Sequence, residues 1–152
     1  MIVYRLNKSY YSEKLTGDGA AKSGGRWNNK GIIIIYTAQS RALCMVEIAV
    51  HTPIGIIPKE YVLMSIQLPD SSIYVQELKS LPSNWKSFPH IAGTKQLGDS
   101  FINDARYLIL KVPSAVVQGE FNYLINPKHK DFNKVKIISV QPFDFDQRLF
   151  TK

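Results

Sequence analysis

"KSGGRWNNKGIIIIYTAQSRALCMVEIAV", residues 22–50, passes from a loop to a strand to a helix with almost nothing between them. Gly24, Gly25, Asn28 and Asn29 crowd around Arg26 and Trp27, a composition that forms a tight turn or lets a backbone approach a ligand closely. The isoleucines that follow are β-branched, and Ile32 to Tyr36 is predicted to be a buried strand. From Arg41 the residues favour helix, with Ser40 as N-cap and Pro53 as the stop. That helix is apolar nearly all round, which predicts that it lies largely buried, and Glu47 is the carboxylate it carries inward or to a cleft edge.

Outward from this stretch, Ile2 to Leu6 predicts a first strand, and residues 7–22 are polar without a clear period. "YVLMSIQLP" from Tyr61 predicts a strand ended by Pro69, and "SIYVQEL" a short one after it. Beyond a loop with Pro82, Trp85 and Pro89, Thr94 is a candidate cap for a helix carrying Leu97, Phe101 and Ile102 on one face. "RYLILKVP" and "VKIISVQPF" read as further strands, with turns at Pro113 and "INPKH". Strands and helices are interspersed without regular alternation, so the expected class is α+β with mostly antiparallel pairing.

The 152 residues suit one domain, 1–152, able to bury a substantial core. No run approaches a membrane span and "MIVYRLNKSYYSEK" lacks a signal-peptide core, so a cytoplasmic protein is expected. The lone Cys44 fits a buried reduced thiol. His51, His90 and His129 are far apart in sequence and no metal site is expected. The net charge of +7 favours an anionic partner: nucleic acid, a phosphate-rich small molecule or an acidic protein. Most lysines are scattered as on a solvated surface, and only Lys128, Lys130, Lys134 and Lys136 cluster.

An unpaired buried carboxylate costs several kcal/mol, so Glu47 must meet a cation, face a cavity or stay protonated. A structural ion pair with Arg26 or Arg41 would satisfy it, and so would a catalytic cleft. Arg26 is suited to a phosphate through its two-pronged guanidinium, although the loop matches neither of the common phosphate-binding glycine motifs. Ser114 follows Pro113 and reads as a turn hydroxyl or a ligand contact, with no general base beside it. His51 falls one turn after Glu47, at helix-pair spacing.

"YRL", "GDGAAKSGGRWNNKG", "YTAQSRALCMVE", "LPSNW", "VPSAV", "NYLINPKH" and "FDFDQRL", in this order and over essentially the whole chain, resemble the RES-domain family. The resemblance implies a toxin of a bacterial toxin–antitoxin pair that consumes NAD+. Its products would be nicotinamide and ADP-ribose 1''-phosphate, or the ADP-ribose would pass to a protein. It also implies an ADP-ribosyltransferase-like fold, with two small, mostly antiparallel sheets around an NAD cleft and flanking helices. The implied partner is a helix-turn-helix antitoxin of the Xre class that blocks the site. Two positions depart from the family pattern, Lys130 in "NPKHK" and Phe101 after Gly98, and neither is an expected site residue.

The resemblance identifies Arg26, Glu47 and Ser114 as the family's arginine, glutamate and serine. Glu47 would stabilise an oxocarbenium-like transition state, whose nicotinamide leaving group needs no acid. Arg26 would hold pyrophosphate or attacking phosphate, and Ser114 the nicotinamide ribose or the anion. Tyr36 would stack on nicotinamide, Trp27 and Asn28 would line the same wall, and Asn126 is a further contact. NAD+ is then a substrate and inorganic phosphate a co-substrate, with no cofactor required. A basic nucleic-acid-binding module or ribonuclease toxin is the alternative from another class.

Overall fold

The structure is a computed structural model that describes residues 1–11 and 14–152. Its strands are β1 (Ile2–Lys8), β2 (Ile35–Ala38), β3 (Tyr61–Gln67), β4 (Ile73–Val75), β5 (Ile109–Pro113), β6 (Phe121–Ile125) and β7 (Lys136–Phe143). Its helices are α1 (Asp18–Ser23), α2 (Arg41–His51) and α3 (Ala92–Asp104). The strands form one sheet in the order β4-β5-β6-β2-β1-β3-β7, with β4 and β5 parallel and the other neighbours antiparallel.

The α+β class holds, whereas the expected two sheets are one sheet of seven strands. The join within that sheet is narrow. β1 and β3 pair along their whole length, from Ile2↔Gln67 to Lys8↔Tyr61, but β1 and β2 share the single register pair Tyr4↔Ala38. The sheet is thus two ladders, β1-β3-β7 and β4-β5-β6-β2, held at one point.

Side-chain alternation distributes the core over the two faces. One face carries a core that crosses both ladders, with Val3, Ile35, Met64, Ile66, Ile109 and Ile125. The other face carries two separate clusters. Leu43 and Cys44 of α2 meet Leu6, Ala38, Leu63 and Phe145 over one ladder. Trp27, Trp85 and Ile102 meet Ile34, Leu110, Val112 and Leu124 over the other. A gap between two clusters on one face of a sheet is where a cleft can open.

α2 spans the residues expected of it. Ser40 Oγ accepts the Leu43 N–H at 3.0 Å and so caps the helix, which ends at His51 before Pro53. It is less buried than its composition predicts: Leu43 and Cys44 are its buried residues, and Val50 is 56% exposed. α3 starts before its predicted cap. Ile91 is the N-cap, and Thr94 lies buried in the first turn, its hydroxyl donating to the Ile91 carbonyl at 3.3 Å. Thr94, Gly98 and Ile102 form its buried stripe, with Leu97 and Phe101 partly buried beside it.

β2 starts at Ile35 rather than Ile32. The Asn28 amide donates to the Ile32 carbonyl, Ile32 N–H donates to the Asn29 carbonyl, and Gly31 takes a φ of 91°, so these residues close the loop instead. β6 was not predicted. It lies between β5 and β2 and pairs fully with both, from Ile109↔Ile125 to Pro113↔Phe121 and from Ile35↔Ile125 to Ala38↔Asn122. Cys44 is buried as expected, and burial pushes its thiol up to about 12. No helix among the described residues is long and apolar enough to cross a membrane.

Candidate active site

A cleft of about 840 Å³ opens on the divided face of the sheet, between α2 on one side and the glycine loop on the other. That volume lies within the range of pockets that hold small ligands. α2 contributes Cys44, Glu47, Ile48, Val50 and His51, and the loop contributes residues 23–27. The sheet supplies Arg5, Tyr36, Thr37 and Asn122, while Phe88 and His90 stand on a third segment.

Glu47 stands where the isolated carboxylate of an apolar helix was expected to matter. It makes no ion pair among the described residues, and Arg41 instead lies over the Tyr4 ring at 5.3 Å. Burial raises the Glu47 pKa, opposed by the side chains of Asn122 and Ser114 and by the charge of Arg26. The result is a desolvated carboxylate with hydrogen-bonding neighbours and a guanidinium within electrostatic reach.

Arg26 is fixed through one end of its fork. Nη1 donates to the Trp85 carbonyl at 2.7 Å and to the Ser87 carbonyl at 3.2 Å, which ties the glycine loop to the segment carrying Phe88 and His90. Nε and Nη2 have no acceptor within the described residues, so that edge is open to an anion. Burial lowers the Arg26 pKa, against the pull of Glu47. The same arginine, after burial, lowers His51 and His90. His90 Nδ1 is buried without a partner.

The glycines are required by close contacts. A Cβ on Gly25 would meet Tyr36 Oη at 2.8 Å and Asn28 Oδ1 at 3.0 Å, and Gly24 has a φ of 69°. Tyr36 Oη accepts the Trp27 N–H at 3.1 Å and donates to Asn28 Oδ1 at 2.7 Å. Its hydroxyl is therefore spent on the loop while its ring borders the cleft, and burial raises its pKa.

The remaining predicted residues separate. Trp27 lines the cleft from within the core, at 3% exposure and 6.2 Å from the Trp85 ring. Asn28 is fully buried and its amide donates to the carbonyls of Ala20, Asn29 and Ile32, so it builds the wall's interior and does not line it. Asn126 is equally buried: its amide donates to the Ile102 carbonyl and its oxygen accepts the Lys128 N–H. Both asparagines, expected as ligand contacts, have their polar groups engaged within the protein.

Ser114 is also buried, and Oγ accepts the N–H groups of Val116 and Val117 at 3.1 and 3.0 Å. It forms the expected turn and also stands beside Glu47, behind the cleft surface. Asn122 is the site residue missed in the sequence. β6 carries it to the cleft, where its side chain borders Glu47 and its Nδ2 reaches the Thr37 carbonyl at 3.3 Å. A single asparagine inside "FNYLI" carries no periodic signal that would mark it.

Fold and cleft together define an α+β domain whose isolated carboxylate faces an arginine-lined pocket. The chain belongs to the RES-domain family, whose model matches residues 2–146. Its relatives include Toxin Res of Yersinia enterocolitica, 40% identical over 152 residues that cover 98% of this chain and 99% of that protein. Another is the Prs ADP-ribosylating toxin of a Sphingobium species, 35% identical over 95% of this chain and 92% of that protein. The fold is similar to that in the crystal structure of the M. tuberculosis MbcT–MbcA toxin–antitoxin complex, with a TM-score of 0.75 at 20% identity over 98% of this chain and 86% of that one.

Proposed function

We propose that this chain is the toxin of a toxin–antitoxin pair and that it degrades NAD+ by cleaving the bond between nicotinamide and ribose. The observation that carries the reading is Glu47: a desolvated carboxylate, without an ion-pair partner among the described residues, on the wall of a ligand-sized cleft. The nicotinamide ring nitrogen is already cationic, so the bonding electron pair leaves with the ring and neutralises it. Positive charge then builds on the ribose, and a fixed carboxylate in a low-dielectric site opposes it strongly.

In phosphorolysis an oxygen of inorganic phosphate forms the new bond to the anomeric carbon as the bond to nicotinamide breaks. Glu47 stabilises the developing cation, and the open edge of Arg26 binds a phosphate. Ser114 and Asn122 stand beside the Glu47 carboxylate and favour its charged form, a positioning role for Ser114 in addition to the ligand contact. The Tyr36 ring and Phe88, 76% exposed at the cleft, supply flat apolar surface for a base or nicotinamide.

ADP-ribose transfer to a protein is the second reading, favoured by the name of the Sphingobium relative. Incubation with NAD+, with and without phosphate, separates the outcomes. Phosphate-dependent nicotinamide release supports phosphorolysis, and labelled ADP-ribose on protein supports transfer. An absence of nicotinamide release under every condition overturns both. An antitoxin that fills the cleft would protect NAD+ in the same assay, and this chain's positive charge suits an acidic segment in that role.

A further inference from the structure

The third segment at the cleft, residues 86–90, is built unlike the other two walls. It leaves Trp85, 6% exposed in the cluster of Leu110 and Leu124, and ends at the first turn of α3, where Thr94 is fully buried. Between these anchors Lys86, Ser87, Phe88 and Pro89 are exposed. The N–H groups of Lys86, Phe88 and His90 donate to no protein acceptor among the described residues, and the Ser87 N–H reaches only the nearby Asn84 carbonyl. The hydrogen bonds that tie the segment to the glycine loop come from Arg26, through the carbonyls of Trp85 and Ser87. A short strap with two fixed ends and one side-chain tie can shift as a unit.

Two features of the strap point to a second position. Phe88 lines the cleft with 76% of its surface in water, the most exposed aromatic ring among the described residues, and a move toward the cleft would cover it. His90 meets the Phe88 ring edge-on at 5.2 Å, and its Nδ1 is the one buried side-chain atom among the described residues without a partner. Such an atom gains a hydrogen bond only when its surroundings rearrange.

The proposed phosphorolysis has a competitor that such a strap would control. As nicotinamide departs with the bonding electron pair, the ribosyl cation accepts an oxygen from whichever nucleophile is present. With phosphate, a phosphate oxygen bonds to the anomeric carbon and the product is ADP-ribose 1''-phosphate. With water, the water oxygen forms that bond, a proton passes to solvent and the product is ADP-ribose. Water far outnumbers phosphate in solution, so a cleft that attracts phosphate selects it only if water is also kept out. Phe88 directly follows Ser87, whose carbonyl accepts from Arg26, so the ring is carried beside the guanidinium whose open edge suits the anion.

We propose that Phe88 is a specificity-determining residue that closes over the cleft with the strap, keeps water from the anomeric carbon and so selects phosphate as the acceptor. The inference rests on the NAD+-cleaving reading above and adds what decides between its two acceptors. Wild type, Phe88→Ala and Phe88→Leu are compared on NAD+ at one phosphate concentration, with the products separated by ion-exchange chromatography. The wild type should give mostly ADP-ribose 1''-phosphate. In Phe88→Ala the ratio of ADP-ribose to its 1''-phosphate should rise about tenfold or more, while Phe88→Leu, which keeps apolar bulk, stays near the wild type.

An unchanged product ratio in Phe88→Ala overturns the proposal. Wild-type protein that releases nicotinamide equally with and without phosphate also overturns it and leaves NAD+ cleavage standing. Hydrogen exchange supplies a second measurement that needs no change to the strap. In Glu47→Gln saturated with NAD+, as followed by calorimetry, the Phe88 and His90 amides should exchange about tenfold more slowly than in the free protein. Unchanged exchange at saturation overturns the proposal. Wild-type protein that releases no nicotinamide under any condition refutes the NAD+ reading, and the role of the strap with it.

Discussion

The two walls of the cleft use polar groups in opposite ways. On the glycine-loop wall, Asn28 donates to three carbonyls, the Tyr36 hydroxyl is bonded on both sides, and Arg26 spends one nitrogen on Trp85 and Ser87. On the α2 wall, Glu47 has no ion-pair partner among the described residues. One wall is stabilised by what it binds internally, and on the other a desolvated carboxylate is left without a counter-ion among the described residues. A polar residue in apolar surroundings therefore has two meanings, and only its neighbours tell them apart.

The sharpest break of this contrast is Glu47→Gln. Nicotinamide release should fall on the order of a thousandfold, because a charge aimed at the transition state is removed. Stability should be unchanged or higher at neutral pH. Folding raises the Glu47 pKa, so the native state holds the proton more tightly than the unfolded chain and loses that advantage as pH rises from the ordinary carboxyl range through the raised value. The glutamine variant lacks this loss. Its margin over the wild type in urea denaturation should widen with pH across that window, and a margin that shrinks refutes the assignment.

Gly98→Ala tests the opposite wall. A Cβ there would collide with the Trp27 carbonyl oxygen, where α3 packs on the loop backbone. Backbone must move, and a destabilisation of about 3 kcal/mol or more should appear in denaturant unfolding. Tyr36→Phe leaves the ring and strands the Trp27 N–H and Asn28 Oδ1, with an expected cost of about 2 kcal/mol by the same measurement. Ser40→Ala removes the cap of α2 and the hydrogen bond that Ser40 Oγ donates to Glu120 at 3.0 Å, and should cost about 1 kcal/mol, with nicotinamide release at native temperature unchanged.

Much of this was legible in the residues. Ser40 and Pro53 bound α2 because caps and helix stops are local chemistry. Glu47 stood out because nothing else on that helix is charged between Arg41 and His51. The internal hydrogen bonds of Asn28 and Asn126 were not legible, because an asparagine that binds loop carbonyls has the same one-letter signature as one that binds a ligand. β6 escaped because Asn122 interrupts its apolar run. The joining of two ladders through Tyr4 and Ala38 escaped because one pair of residues leaves no pattern.

The strand order also sets when the cleft can exist during synthesis. β2 is made early, yet its full-length partner is β6, residues 121–125, and its other neighbour touches it at one pair. Until those late residues leave the ribosome, the strand bearing Tyr36 lacks its main ladder and Asn122 is not yet part of the site. A chain broken off before residue 121 carries Arg26 and Glu47 but cannot assemble the cleft around them. The last fifth of the chain thus decides whether the residues gathered by the first third face a cleft at all.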